Sequence, residues 1–382
     1  MKNKVVIGGA GLTGSVVARI LAEAGFFVTI HEKRGHVGGN IFDSYDEHGV
    51  LVQRYGPHIF HTSITKVKDF VTNYSNWRPF QLTCGAVIKE LTVPTPFNFT
   101  TIDLFYGKRE AEALKKRLKK DFLHESAPVL DLLESDDSDI KKFGEFLFRN
   151  DYAPYTAKQW GMKPEDVDPQ ILRRVPVNLS YEAGYFKDSF QAMPEKSFTS
   201  FVSALLSHPN IEINTHSDLR EHLEFKENRV DYLGLKDCVL VFTGPIDQLF
   251  KESLGRLPYR TLKFEYKYLN LESFQGFPVV AHPFADGYTR ITEYKKLTKQ
   301  DVAGTVIGFE FPVPYLSSED EPYYPVSTLN SLALYKKYEE KASQFLNLYL
   351  AGRLGKFVYL NMDEAIFEAL KLAELIKKKY GQ

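Results

Sequence analysis

Hydrophobic and polar positions follow one another in blocks along this chain, and the period of the blocks changes several times. Lys4 to Gly8 is a short β-branched run bounded by glycine, which suits a strand buried on both faces of a parallel sheet. Ser15 to Ala24 repeats apolar residues at helical spacing, and Gly25 stands where a helix would stop. Phe26 to His31 reads as a second strand. Strand, helix and strand in this succession form one βαβ unit, because parallel strands need a crossover. From about Phe97 to Arg174 the pattern turns helical and charged, clearest over Asp103 to Phe122 and Ile140 to Phe148. Pro94 and Pro96 lead into this insert and Pro176 marks its exit. Tyr259 to Phe311 is aromatic and β-branched, punctuated by Gly and Pro, and predicts antiparallel strands. The chain closes on a strand at Leu346 to Leu350, the turn Gly352-Arg353-Leu354-Gly355, and a last helix. Asn361 and Glu364 open that helix as a capping box, and Lys377 to Lys379 complement its dipole at the other end.

These periods predict an α/β protein: a Rossmann-like dinucleotide domain from residues 1–76, 196–246 and 327–382, a helical insert over 97–174, and an antiparallel sheet domain from 77–96, 175–195 and 247–326. A length of 382 residues is too great for one simple core. The net charge of −1 argues against a polyanion-binding surface, so nucleic acid is not expected as a partner. No run of about 18 apolar residues is present, so no membrane span is expected. The apolar stretch near the amino terminus is broken by Gly8, Gly9, Gly11 and Gly14 and interrupted by Arg19, so it reads as strand, turn and helix rather than a secretory segment. Cys84 and Cys238 fit neither a disulfide framework nor a metal-ligand spacing, which suits reduced thiols and a cytoplasmic protein.

The chemistry begins at Gly9-Ala10-Gly11-Leu12-Thr13-Gly14. Gly9 permits the tight turn, Gly11 lets the backbone approach a pyrophosphate, and Gly14 allows close packing of helix on strand. Glu32, at the end of the next strand, is placed to accept ribose hydroxyls. The loop is a GxGxxG, weak alone but here set between a strand and a helix. The following Arg34-Gly-His-Val-Gly38-Gly39-Asn40 resembles the extended fingerprint of flavoproteins related to glutathione reductase, as does the late turn at Gly352 to Gly355. That resemblance implies FAD rather than NAD. In Tyr55-Gly56-Pro57-His58-Ile59-Phe60-His61-Thr62 the two histidines have no third ligand nearby, so a loop packed against the cofactor, with His61 near the flavin ring, is weighed against a structural histidine pair.

The segments Tyr155-Thr156-Ala157-Lys158-Gln159-Trp160-Gly161, Tyr288-Thr289-Arg290-Ile291-Thr292-Glu293, Glu321-Pro322-Tyr323-Tyr324-Pro325 and Gly352-Arg353-Leu354-Gly355 resemble those of the UDP-galactopyranose mutase family in order and spacing, as do Thr243-Gly244-Pro245 and the Tyr55 to Thr62 run. The family interconverts pyranose and furanose forms of a UDP-linked sugar without net redox change, with N5 of reduced FAD as nucleophile at the anomeric carbon. The resemblance implies catalytic roles for Arg174, Arg290 and His61, with the two arginines on the leaving diphosphate, where guanidinium matches the anion. It implies that Tyr185, Tyr324 and Tyr359 bind phosphate, that Tyr155, Thr156 and Trp160 hold the base, and that Leu82 and Tyr152 line the substrate pocket. For FAD it implies Thr13, Glu32, Lys33, Asn40, His58, Ile59, Leu219, Arg353, Asn361 and Met362 beside the glycines. It also implies a cytoplasmic enzyme of cell-surface polysaccharide synthesis, often a homodimer. On residues alone, Arg174 beside Arg173 also fits a solvated helix end, and each tyrosine also fits a core.

Several positions depart from the family pattern. Asp151 and Tyr152 stand where two phenylalanines flank the uracil, and Pro154 and Ala192 replace glycines. Leu82 replaces an asparagine near the sugar, and Asn361 replaces an acid beside the flavin. An apolar Leu82 suits a sugar lacking a hydroxyl, so dTDP-fucopyranose or UDP-N-acetylgalactosamine stands as an alternative to UDP-galactopyranose. An FAD-dependent oxidase of the amine-oxidase type shares the same fold class and is the alternative of another kind, beside a binding protein without activity.

Overall fold

A computed structural model describes residues 4–161, 175–317 and 320–381. Five parallel strands lie in the spatial order Ile211–Thr215, Phe27–Glu32, Lys4–Gly8, Cys238–Phe242 and Leu348–Leu350. Val5, Val6 and Ile7 of the middle strand expose no surface, as a parallel strand covered on both faces requires. Alternate side chains leave a strand on opposite sides. Val5 and Ile7 accordingly share a core with Val16, Val17 and Leu21 of the helix Leu12–Glu23 and with Ile366 and Leu370 of the helix Met362–Tyr380. Val6 and Leu240 enter a second core with Ile246, Tyr338 and Phe357. The predicted βαβ unit is present, with its helix starting three residues earlier than its apolar spacing indicates, directly on the glycine loop.

The insert has its own core, built on Phe97, Ile102, Leu114, Leu118, Leu132 and Phe143. The single helix expected over Asp103 to Phe122 is in fact two, Phe99–Phe105 and Lys108–Asp121, because Tyr106 and Gly107 take extended backbone between them. A helix Ser138–Leu147 runs into a π-helical turn, Phe148–Tyr152, and then into the helix Ala153–Trp160. Turns of this wide type occur mostly as single interruptions at functional sites.

A seven-stranded sheet forms the third layer, in the order Tyr324–Pro325, Tyr259–Leu269, Thr305–Pro314, Arg290–Glu293, Val279–Ala281, Cys84–Ile88 and Leu91–Thr95. The expectation of a purely antiparallel sheet needs correction in one place: Val279–Ala281 pairs in parallel with Cys84–Ile88. Residues Tyr294–Thr298, inside the stretch read as strands, are a short helix. A small sheet of Phe60–Thr62, Phe190–Pro194 and Trp77–Pro79 lies beside these layers. Among the described residues no helix is long and apolar enough to cross a membrane.

Lys158 fastens the insert to the large sheet. Its ammonium donates to the carbonyls of His282 at 2.9 Å, Ala285 at 2.5 Å and Tyr288 at 3.0 Å, all in the loop before Arg290–Glu293. Removing a charged donor from three carbonyls costs about 1–3 kcal/mol. Lys158→Met is expected to lower the melting temperature measurably; an unchanged thermal transition would show that this tie contributes nothing.

Candidate active site

The first cavity, of about 280 Å³, opens where the carboxyl ends of the parallel strands meet the glycine loop. Its shape follows from residues that lack side chains. A Cβ on Gly14 would lie 2.0 Å from the Gly9 carbonyl oxygen, so helix and strand could not close with any larger residue there. Gly9 has φ of +106°, and a Cβ would lie 2.2 Å from the Thr243 hydroxyl. At Gly11 a Cβ would meet only the Gly39 Cα, at 3.7 Å, so its absence leaves room on the cavity side. Gly11 also begins the helix Leu12–Glu23 without a side-chain cap, which leaves first-turn N–H groups for an anion.

Glu32 clamps the loop. One carboxylate oxygen accepts from Ala10 N–H at 2.7 Å and the other from Arg34 N–H at 2.9 Å. Each oxygen keeps a second lone pair, so the carboxylate can still accept a hydroxyl. Arg34 donates to Glu321 at 2.6 Å and to Asn40 at 2.9 Å across the same cavity, and stacks over the Tyr55 ring. Its Nη1 is buried without a partner, which fits a ligand that brings acceptors. The glycine cradle, the uncapped helix and this orphaned guanidinium nitrogen together suit the pyrophosphate and ribose of FAD.

The second cavity, of about 700 Å³, adjoins the first, and His58, Arg353, Asn361 and Met362 line both. Arg353 sits over the rings of Tyr324 and Tyr359, at 5.1 and 4.7 Å, and those rings stack on one another. Its Nη2 donates to Leu360 O at 2.5 Å. His58 is held by its Nδ1 on Gly56 O at 2.9 Å, and burial lowers its pKa to about 4, with Arg353 and Arg290 adding to the effect. It is therefore a neutral imidazole.

Arg290 is a second cation of this cavity, beside Arg353. It reaches in from the strand Arg290–Glu293, and Glu310 on the neighbouring strand accepts from its Nε at 2.8 Å and its Nη2 at 2.7 Å. Burial pulls the guanidinium pKa down, and the Glu310 carboxylate more than offsets that, so the charge is locked on. Around it Tyr185 and Tyr324 are buried phenols whose pKa values burial pushes up to about 12; both stay protonated donors. His61 lines the cavity with Nδ1 bonded to Asp188 at 2.7 Å and its ring stacked on Phe186 at 3.7 Å. Leu82 is 4% exposed and joins Cys84, Ala86, Val279 and Ala281 in an apolar wall.

Of the sequence-predicted residues, Gly9, Gly11, Thr13, Gly14, Glu32, Lys33, Gly38, Gly39, Asn40, Leu219 and Gly352 line the first cavity only. Ile59, His61, Leu82, Tyr152, Tyr155, Thr156, Tyr185, Arg290, Tyr324 and Tyr359 line the second. Arg174 and the Trp160 side chain lie outside what is described. Gly352–Gly355 forms a one-turn helix of its own, and the long helix Met362–Tyr380 opens on the Asn361–Glu364 capping box that the sequence predicts. Arg220 and Gln248 also line the first cavity, and Glu310 anchors Arg290. No periodicity marks these three; they matter through contacts distant in sequence.

The doubly covered parallel sheet, the glycine cradle and a basic, tyrosine-rich cavity adjoining it define a flavin-binding α/β enzyme that acts on an anionic substrate. A family model for an NAD(P)-binding Rossmann-like domain matches residues 7–74, and one for UDP-galactopyranose mutase matches residues 151–359. The chain is 36% identical to a dTDP-fucopyranose mutase of Escherichia coli, over 98% of this chain and 99% of that protein. It is 34% identical to a UDP-galactopyranose mutase of Mycoplasma genitalium, over 97% and 94% respectively. The chain belongs to the UDP-galactopyranose mutase family, isomerases that interconvert pyranose and furanose nucleotide sugars with FAD as cofactor. A crystal structure of reduced UDP-galactopyranose mutase superposes with a TM-score of 0.70 at 16% identity, over 99% of this chain and 94% of that one. A putrescine oxidase double mutant reaches 0.59 at 10% identity, over 98% and 99%; that is likeness of fold alone, and the amine-oxidase alternative is not favoured.

Two expectations follow from the electrostatics. Glu310→Gln leaves a buried guanidinium uncompensated, a change that costs about 3–5 kcal/mol in comparable pairs. The variant is expected to melt lower and to regain more than the parent when UDP is added, because the diphosphate replaces the lost negative charge; equal gains would refute the coupling. His58 has a folded pKa of about 4 against 6.5 unfolded, so the unfolded chain binds more protons between those values. Stability from this residue is present above pH 6.5 and is lost as the pH falls toward 4. Urea unfolding over that range should show the slope, and His58→Asn should flatten it.

Proposed function

We propose that this enzyme interconverts the pyranose and furanose forms of a nucleotide-linked galactose-type sugar, with UDP-galactopyranose as the first substrate to consider. The observation that carries the reading is Arg290, a buried and permanently charged guanidinium set among tyrosine hydroxyls beside the cofactor cavity. Such a group matches a diphosphate that detaches and must be kept in place until it rejoins the sugar. Reduced FAD supplies the nucleophile toward the anomeric carbon. Arg290, with Arg174 proposed as its counterpart, holds the diphosphate, and Tyr185, Tyr324 and Tyr359 add donors that bring no further charge to desolvate. Tyr155, Thr156 and Trp160 are proposed for the base, and His61, oriented by Asp188, for the wall beside the sugar.

Leu82 favours a second reading. It is buried in an apolar wall where a sugar hydroxyl would find no partner, which suits a 6-deoxy sugar such as that of dTDP-fucopyranose. The relative named as a dTDP-fucopyranose mutase supports considering that substrate. The buried, free thiols of Cys84 and Cys238 agree with a reducing, cytoplasmic setting. Dithionite-reduced protein should isomerise UDP-galactopyranose or dTDP-fucopyranose with no consumption of reductant, and oxidised protein should not. A preference for dTDP-fucopyranose decides for the second reading. Flavin reduction driven by substrate, with no isomerisation, would overturn both.

A further inference from the structure

Asp151 is a buried acid with one carboxyl oxygen left unused. It lies in the π-helical turn Phe148–Tyr152, is 9% exposed, and its Oδ1 is buried with no hydrogen-bond partner. Both it and its neighbours Tyr152, Tyr155, Thr156 and Gln159 line the second cavity. An unpaired buried acid is costly, so its persistence in a cavity wall points to a ligand that completes it. Among the described residues no cation offsets the burial, which pushes the carboxyl up to about 7. The group is thus about half protonated near neutral pH and mostly protonated below it, and its protonated form presents one donor and one acceptor side by side.

Its place in the cavity narrows what it meets. The wall shared with the cofactor cavity carries His58, Arg353, Asn361 and Met362, and Arg290 stands among the tyrosines. A nucleotide sugar is linear: sugar, diphosphate, ribose, base. With the sugar toward the cofactor and the diphosphate on Arg290, the base must extend to the wall of the insert, where Asp151 is. The neighbouring Tyr152 cannot donate to a base carbonyl, because its hydroxyl proton goes to Val175 O at 2.6 Å.

We propose that Asp151 reads the base of the substrate, its carboxyl pairing with the imide edge of a 2,4-dioxopyrimidine, uracil or thymine. The carboxyl O–H donates to a ring carbonyl while the carboxyl C=O accepts N3–H, a cyclic pair of two hydrogen bonds. A ribose diol or a structural role for Asp151 would not discriminate at N3. The inference rests on reading the cavity as a nucleotide-sugar site.

The test is titration calorimetry on the FAD-loaded protein with UDP, dTDP and N3-methyl-UDP. The parent is expected to bind UDP or dTDP at least roughly tenfold tighter than N3-methyl-UDP, since a site built for an N–H rejects the analogue lacking it. The UDP and dTDP arms tell which base is preferred. Asp151→Ala should reduce that gap to about twofold or less. Asp151→Asn retains a donor and an acceptor and should preserve it. An equal gap in parent and Asp151→Ala overturns the assignment while leaving the nucleotide-sugar reading intact. A parent with no gap, or with the gap lost in Asp151→Asn but kept in Asp151→Ala, overturns it without relying on the alanine variant's stability. Failure of the parent to bind UDP or dTDP overturns both.

Discussion

A guanidinium cannot be held out of water without a carboxylate beside it, and the pair of Arg290 with Glu310 is the constraint on which the site depends. Glu310 is 2% exposed and bonds to two nitrogens of Arg290, so the carboxylate has no water to fall back on and the guanidinium, 24% exposed, keeps only the cavity side open. Such a pair adds little net stability, because desolvation cancels most of the attraction. What it provides is a cation of fixed position and fixed protonation. The two strands that carry it pair residue against residue, Arg290 opposite Glu310, so the sheet register itself sets the geometry. Thr289 and the short helix Tyr294–Thr298 then hold the strand from either end.

From that fixed point the rest of the cavity follows. Arg353 lies against a stacked pair of tyrosine rings, whose π-faces stabilise a second cation near the first. His58 is neutral because two arginines and burial act on it in the same direction. The tyrosines are neutral donors for the same reason of burial. The protein has thus set one cation, Arg353, at the junction of its two cavities and another, Arg290, in the wall of the second. Asp151, at the insert wall, adds only part of a negative charge, being about half protonated near neutral pH.

How much of this was readable in advance depended on the range of the interaction. The parallel strands and the glycine loop were legible because strand period, turn residue and helix start are encoded within a few neighbours. The capping acid Glu364, bonded to Asn361 N–H at 2.7 Å, was legible for the same reason. The parallel pairing of Val279–Ala281 with Cys84–Ile88 was not, since alternation marks a strand and says nothing of its partner. Nor was the break at Tyr106 and Gly107, where a single glycine before the charged run from Lys108 marks the end of one helix and the start of the next. Most cavity residues came from resemblance to a family. Glu310 came from neither, because an acid in a strand becomes informative only once the arginine opposite it is known.

The bridge between Arg34 and Glu321 crosses the cofactor cavity from the dinucleotide domain to the segment leading into the edge strand Tyr324–Pro325. Both residues line that cavity, so the bridge works as a latch over whatever occupies it. Glu321 is 45% exposed and Arg34 only 16%, so the latch is accessible to salt on one side and anchored on the other. A bridge exposed on one side is worth about 1 kcal/mol at most, a severalfold effect on the release of whatever lies beneath it. Retention of a flavin would then depend in small part on ionic strength, through a residue that touches no reacting atom.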